Sequence, residues 1–186
     1  MSVNTEVQTE EQVSVVDDFD SVKVQEIKAK IQARKEQNNM PVKIVEERRT
    51  SLRIGVVGTG QAGSRLAETF AKLGYPAVAF NTAQQDLQYI QLPEENKCLL
   101  QYGLGGAAKD LMIGAAAAEE NKDAIAALVQ DKLDDAQVLM LCLSLGGGSG
   151  AGSVETMIEV LSQSGKPILV MTVIPMNSDD AQTKRN

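Results

Sequence analysis

Short apolar runs alternate with stretches of helical periodicity from residue 53 onward. Five runs are typical of buried strands, because each is short, almost free of polar residues and followed by turn-forming residues. They cover 53–57, 77–80, 97–100, 137–143 and 168–174. The spacing of apolar residues between them predicts helices over 64–73, over 110–133 with a break near Asn121, and over 153–162. This alternation predicts an α/β fold: a three-layer, Rossmann-like parallel sheet with helices on both faces.

The first 51 residues do not share this pattern. Residues 1–20 are polar and acidic with no sustained period, which is typical of disorder. Over 21–37 a narrow apolar stripe at helical spacing is formed by Val24, Ile27 and Ile31. The stripe fits a short helix that docks on the domain or on a partner, and it fits a marginal solvated helix equally well. We therefore expect an N-terminal arm over 1–51 and a globular domain over 52–186.

Composition and charge exclude several classes of protein. Lys and Arg total 18 against 25 Asp and Glu, which gives a formal net charge of −7 and argues against direct nucleic-acid binding. Histidine is absent from the sequence, so no catalytic triad can use it. Cys98 and Cys142 stand in apolar runs and are too few for a disulfide framework or a zinc site, so we expect buried, inert thiols and no protein metal cluster.

The hydropathy pattern also bears on the compartment. No apolar run reaches the ~18 residues of a membrane span, and the acidic N-terminus does not fit a secretory signal. We therefore expect a cytoplasmic protein with no membrane insertion.

Glycine clusters carry the candidate chemistry. All 15 glycines lie between Gly55 and Gly165, and most fall in three clusters, over 58–63, 103–106 and 146–152. Each cluster follows a predicted strand, and ligands of parallel sheets bind at the carboxyl ends of the strands. The three clusters are therefore expected at one edge of the sheet.

The first and third clusters differ in what they indicate. The first, G-x-G-x-x-G over 58–63, alone favours a dinucleotide fold, but the position that should hold an acidic residue is Asn81. The third has five glycines over 146–152, which fits a backbone whose successive N–H groups wrap phosphate oxygens. The third cluster lacks the lysine of a P-loop. The first and third clusters both predict phosphate binding.

The third cluster, GGGSGAGS, resembles the glycine-rich phosphate loop of the tubulin and FtsZ superfamily, commonly written GGGTGTGS. Further segments match in order along the chain: GQAGSRLA from Gly60, AFNT from Ala79, GLGGAA from Gly103, and the residues Val173 to Pro175. The resemblance covers 52–186 and nothing in the arm.

The resemblance implies GTP or GDP binding with Mg²⁺ and head-to-tail assembly of the chain with itself or with a full-length homologue. The resemblance implies a protein of the bacterial cytoplasm that is encoded by a bacterium or by a phage. By matching position, the implied nucleotide-binding residues are Gly60, Gln61, Ala62, Arg65, Asn81, Thr82, Gly105, Gly106, Ala107, Ala108, Gly146, Gly147, Gly148, Ser149, Gly150, Ala151, Gly152, Glu159, Asp179 and Asn186. Within this set, Arg65 would face the base, Glu159 and Asp179 the ribose, and Asn186 the guanine edge.

Departures from the family pattern limit what is expected of this chain alone. Ala83 replaces a carboxylate near the metal, for which Asp86 or Asp110 could compensate. The resemblance assigns water activation to an acidic loop that is not found in these 186 residues, so the catalytic residue is unassigned. We therefore expect the nucleotide-binding domain of a GTPase, as a fragment or a truncated form, with little turnover alone.

Two other functions remain open at this point. The short chain could cap or regulate the filaments of a full-length partner through its nucleotide face. The first glycine cluster taken alone also allows a dinucleotide-dependent enzyme.

Overall fold

The computed structural model describes residues 52–103, 105–176 and 178–185, and in the arm Gln25 and Ala29. Both arm residues are helical and exposed. The rest of the predicted helix over 21–37 and the expected disorder over 1–20 lie outside the described residues.

Five parallel strands form one sheet in the order β3-β2-β1-β4-β5. They are β1 Ile54–Thr59, β2 Ala77–Asn81, β3 Lys97–Leu99, β4 Val138–Ser144 and β5 Ile168–Val173. Every strand lies where an apolar run predicts one. The α/β, Rossmann-like fold class is confirmed.

Helices connect the strands. They are α1 Gly60–Lys72, α2 Gln84–Gln88, a 3₁₀ turn Glu94–Asn96, α3 Leu111–Glu120, α4 Lys122–Leu133, α5 Gly148–Gly152, α6 Val154–Ser162 and α7 Ala181–Arg185. The break predicted near Asn121 is confirmed, and the side-chain amide of this residue donates to the carbonyl oxygens of Ala117 (2.7 Å) and Gln101 (2.9 Å). These bonds satisfy a carbonyl group that the end of α3 leaves free.

Two apolar clusters cover the two faces of the central strands. Consecutive strand residues point to opposite faces, so Val57 and Leu141 pack under α3, α4 and α6, while Val56 and Met140 pack with α1 and α2. All four side chains are buried. Burial on both faces explains why β1 and β4 read as uninterrupted apolar runs.

Strand β5 does not share this burial, although its apolar run predicts a buried strand. Leu169 is 50% exposed and Val170 53% exposed, and as neighbours they point to opposite faces of the sheet. Ile174, just beyond the strand, is 69% exposed. The prediction of burial is wrong because β5 is the edge strand, paired only with β4 among the described strands. No helix within the described part of the chain has the length and hydropathy to cross a bilayer.

Candidate functional site

A cleft of about 420 Å³ lies at the carboxyl ends of β1, β2 and β4. This volume falls in the range of ordinary small-molecule sites, ~300–1,000 Å³. The lining residues are Gly60, Gln61, Ala62, Asn81, Ala83, Asp86, Gly106, Ala107, Ala108, Lys109, Ser144, Gly146, Gly147, Gly148, Ser149, Gly150, Val173, Ile174, Pro175, Asp179 and Thr183. All three glycine clusters therefore contribute to one cleft.

The first and third glycine loops touch through backbone atoms. Gly60 has a φ of 69°, and a Cβ placed on it would lie 2.7 Å from the amide nitrogen of Gly150. A Cβ on Gly150 would in turn lie 3.1 Å from the carbonyl oxygen of Thr59. Glycine is required at position 60 by both its left-handed backbone and this close approach.

The second and third glycine loops are also in contact. A Cβ on Gly148 would lie 2.7 Å from the amide nitrogen of Asp110, at the start of α3. Asp110 caps that helix, because its carboxylate accepts a hydrogen bond from the amide of Met112 at 2.8 Å. The carboxylate of Asp110 thus serves the helix, and the residue does not line the cleft.

Side-chain hydroxyl groups join the loops at the cleft. Thr82 Oγ1 and Ser149 Oγ are 2.6 Å apart, and Thr82 Oγ1 also accepts from the amide of Ala107 at 2.9 Å. Thr59 and Ser153 are joined in the same way, with 2.7 Å between their hydroxyl oxygens. Thr82 thus holds two lining loops together without lining the cleft itself.

One carboxylate stands at the β2 side of the cleft. Asp86 accepts a hydrogen bond from the side-chain amide of Asn81 at 3.1 Å and from that of Gln61 at 3.5 Å. The described residues contain no cluster of three or more metal-ligating side chains. Of the two carboxylates that could compensate for Ala83, Asp86 lines the cleft and Asp110 does not.

The segment after β5 closes the opposite side of the cleft. Asp179 lines it and accepts from the amide of Met176 at 2.6 Å. Asp180 pairs with Lys109, while Thr183 donates to Asp180 through its amide at 2.9 Å. The ammonium of Lys109 and the donors of Thr183 hold the pKa of the Asp180 carboxyl well below its usual range.

Several residues implied by the resemblance lie away from the cleft. Arg65 donates to the carbonyl of Tyr89 at 3.0 Å, and Glu159 on α6 pairs with Lys122 at 2.6 Å. Gly152 packs against α3, where a Cβ would meet the carbonyl of Leu111. Ala151 and Gly105 do not line the cleft either. Asn186 lies outside the described residues.

Sequence reasoning missed part of the lining. Lys109 directly follows the implied residue Ala108, so its position alone could have identified it. The other lining residues that were not anticipated are Ser144 and Thr183, whereas Val173, Ile174 and Pro175 belong to a segment that the resemblance matched. Ser144 ends β4 and Thr183 lies on α7, and only the folded chain brings them to the glycine loops.

A parallel sheet with three glycine loops over one cleft is the arrangement that α/β domains use to bind phosphate groups. Residues 53–186 match the model of the Tubulin/FtsZ family, GTPase domain. The chain belongs to the Tubulin/FtsZ family, as the sequence resemblance indicated.

Individual relatives agree with this assignment. The chain is 26% identical over 128 residues to the tubulin-like protein CetZ of Pyrococcus horikoshii, which covers 66% of this chain and 35% of the relative. It is 30% identical over 151 residues to cell division protein FtsZ 1 of Pyrococcus woesei, which covers 77% of this chain and 39% of the relative. The chain thus spans well under half the length of these curated relatives.

Solved structures show the same fold. A GTPγS-bound protofilament of CetZ2 from Haloferax volcanii superposes with a TM-score of 0.64 at 26% identity, over 71% of this chain and 42% of that one. An empty FtsZ dimer from M. jannaschii gives 0.57 at 28% identity, over 69% of this chain and 38% of that one.

Proposed function

We propose that the cleft binds GTP or GDP with Mg²⁺ and that the chain is the nucleotide-binding part of a cytoskeletal GTPase that assembles head to tail in the cytoplasm. The observation that carries the proposal is the convergence of three glycine loops on one cleft in a member of the Tubulin/FtsZ family. A bound nucleotide in the CetZ2 protofilament supports it.

Backbone groups supply most of the phosphate binding in this proposal. The loop over 146–150 presents successive N–H groups without side chains in the way, which suits the first two phosphates. The loop over 106–108 lies across the cleft and is assigned to the last phosphate. Mg²⁺ beside Asp86 would offset phosphate charge, because a hard cation prefers oxygen ligands.

The ribose is assigned to Asp179. Its carboxylate lines the cleft and can accept hydrogen bonds from sugar hydroxyls. Glu159, which the resemblance implies for the same role, pairs with Lys122 and does not line the cleft. No described lining residue is assigned to water activation, so we expect nucleotide binding with little turnover by this chain alone.

Titration calorimetry with GTP, GDP, ATP and NAD in the presence of Mg²⁺ tests the proposal. Gly147→Ala is the informative variant, because its backbone (φ −104°, ψ 157°) accepts alanine and the nearest atom to the new methyl is the Ser144 hydroxyl oxygen at 3.8 Å. We expect about tenfold weaker guanine-nucleotide binding, because the methyl stands beside the N–H groups that approach phosphate.

Gln130→Ala is the control. Gln130 is exposed on α4, and no residue of that helix lines the cleft, so the affinity should not change. Pelleting of the same mixtures measures assembly. The proposal fails if the folded protein binds no guanine nucleotide, or if it binds NAD instead. Shortening of a full-length homologue's filaments without self-assembly would favour the capping function.

A further inference from the structure

Phosphate binding by the backbone of the glycine loops gives no role to the side chain of Lys109. It lines the cleft directly after the loop over 106–108. Among the described lining residues it is the one Lys or Arg, and the carboxylates there are Asp86 and Asp179. The side chains of the described lining therefore carry no net positive charge, although a nucleoside triphosphate is strongly anionic.

The backbone holds Lys109 in an unfavourable conformation. Ala108 has a φ of 48° and Lys109 a φ of 65°, and these are the non-glycine residues with positive φ in the described chain. Each such residue is less stable than one in an ordinary backbone conformation, because its Cβ lies too close to the following carbonyl oxygen. Two in succession persist only where surrounding contacts fix them, and such outliers cluster at ligand sites.

The surrounding contacts are visible. A Cβ on Gly148, in the third loop, would lie 2.9 Å from the carbonyl carbon of Lys109, so the two loops are packed backbone to backbone. The following residue, Asp110, is fixed as the cap of α3. The strained pair is therefore clamped between the third loop and a helix, with its lysine side chain beside the cleft.

The present partners of the Lys109 ammonium lie on the segment after β5. Lys109 Nζ contacts the Asp180 carboxylate and donates to Thr183 Oγ1 at 3.0 Å. The side chains of Lys109 and Asp180 are 50% and 55% exposed. An ion pair this exposed is weak, because water screens both charges.

We propose that Lys109 is a phosphate-binding residue that exchanges Asp180 for the last phosphate of a bound nucleoside triphosphate. The inference rests on the proposed function, in which the loop over 106–108 lies at that phosphate. Multiple charges and a partly enclosed cleft make the phosphate the stronger partner. Lys109 thereby favours triphosphate over diphosphate, and the segment over 178–185 loses one of its attachments when triphosphate binds.

Calorimetric titration of the 186-residue chain with GTPγS and with GDP, each with Mg²⁺, tests this inference. Lys109→Met removes the charge and Lys109→Arg keeps it. Lys, Met and Arg all carry a Cβ, so the left-handed backbone at position 109 strains the three residues alike. We expect Lys109→Met to weaken GTPγS binding about tenfold and GDP binding by less than about threefold. Lys109→Arg should restore most of the difference, and raising the salt should weaken GTPγS binding less in Lys109→Met than in the wild type.

Asp180→Asn supplies the opposite perturbation. Asparagine keeps an oxygen for the Thr183 amide but removes the competing charge, so GTPγS affinity should rise by about threefold. Equal losses for GTPγS and GDP in Lys109→Met, or no loss in either, overturn the inference while leaving guanine-nucleotide binding intact. If the folded wild-type chain binds neither nucleotide, the proposed function fails, and this inference fails with it.

Discussion

Glycines in this domain differ in what they do, and the difference is visible residue by residue. Gly60 and Gly148 let two backbones meet beside the cleft. Gly63 does the same inside the fold, where a Cβ would overlap the carbonyl oxygen of Cys142 on β4. Gly103 and Gly105 have no atom within 4 Å of an added Cβ. A glycine-rich sequence therefore contains both structural contacts and open positions.

Replacement of Gly63 tests this distinction. Gly63→Ala should lower the free energy of unfolding by about 3 kcal/mol, because the new methyl meets rigid strand backbone and α1 must move off the sheet. Urea titration followed by far-UV circular dichroism measures it. Gly105→Ala is the control and should change the free energy of unfolding by less than ~0.5 kcal/mol. Equal stability of the two variants would contradict the packing described for α1.

The cysteines are a second residue-scale feature. Burial raises the pKa of the Cys142 thiol from 9.0 to about 11 and also raises the pKa of Cys98. Both thiols should therefore be protonated at pH 8 and react slowly with Ellman's reagent until urea unfolds the chain. Fast reaction of either thiol in the folded protein would contradict this.

The raised pKa of Cys142 makes the free energy of unfolding depend on pH. Its thiol stays neutral in the fold above the pH at which the unfolded thiol ionises, so its contribution is complete below about pH 9 and is lost as the pH rises towards 11. Urea midpoints measured from pH 8 to pH 11, with Cys142→Ala for comparison, should show a smaller decline in the variant.

Among the elements, strands were predicted best. All five strands coincide with apolar runs, because the strands of a parallel sheet are rich in apolar residues. Helix α1 begins at Gly60, before the predicted start at 64. Glycine disfavours helix, so the sequence predicts a loop over these residues, whereas packing in the fold makes them the first turn of the helix. Helices α2 and α7 are too short for a 3.6-residue period to appear.

The candidate site was predicted where local motif and position coincide. Most of the implied glycines and Asn81 line the cleft, and their contacts with a nucleotide stay a prediction. Glu159 and Arg65 do not line it, and their contacts with Lys122 and with the Tyr89 carbonyl are tertiary contacts that no spacing encodes. Lys109 lies one residue beyond the matched segment that ends at Ala108, and its contact with Gly148 in the third loop is visible only in the fold.

Adjacent strands β4 and β5 offer a direct comparison of burial. Leu141 is 0% exposed and Leu169 is 50% exposed. Leu141→Ala should lower the free energy of unfolding by about 2–5 kcal/mol. Leu169→Ala should lower it by only about 1 kcal/mol, because removal of a half-exposed side chain leaves no sealed cavity. Urea denaturation of both variants measures the difference. Similar losses would show that β5 is covered in solution.

At the scale of the whole molecule, the cleft lies at the carboxyl end of the sheet, where Val173 at the end of β5 contributes to its lining. The cleft is formed by loops that are tied together through backbone contacts and by the Thr82–Ser149 and Thr59–Ser153 hydroxyl pairs. Such ties place the loops before any ligand arrives, which lowers the ordering cost of binding. The nucleotide proposal therefore requires little rearrangement, apart from the exchange proposed at Lys109.

Strand β5 has a practical consequence for handling the domain. It presents apolar side chains on both faces together with a backbone edge that pairs with no other described strand, and such an edge can recruit further strands. Molecules that meet through this edge on heating are removed from the folding equilibrium. The apparent melting temperature of the isolated domain should then vary with scan rate and protein concentration, so it reports a rate of irreversible association instead of a free energy.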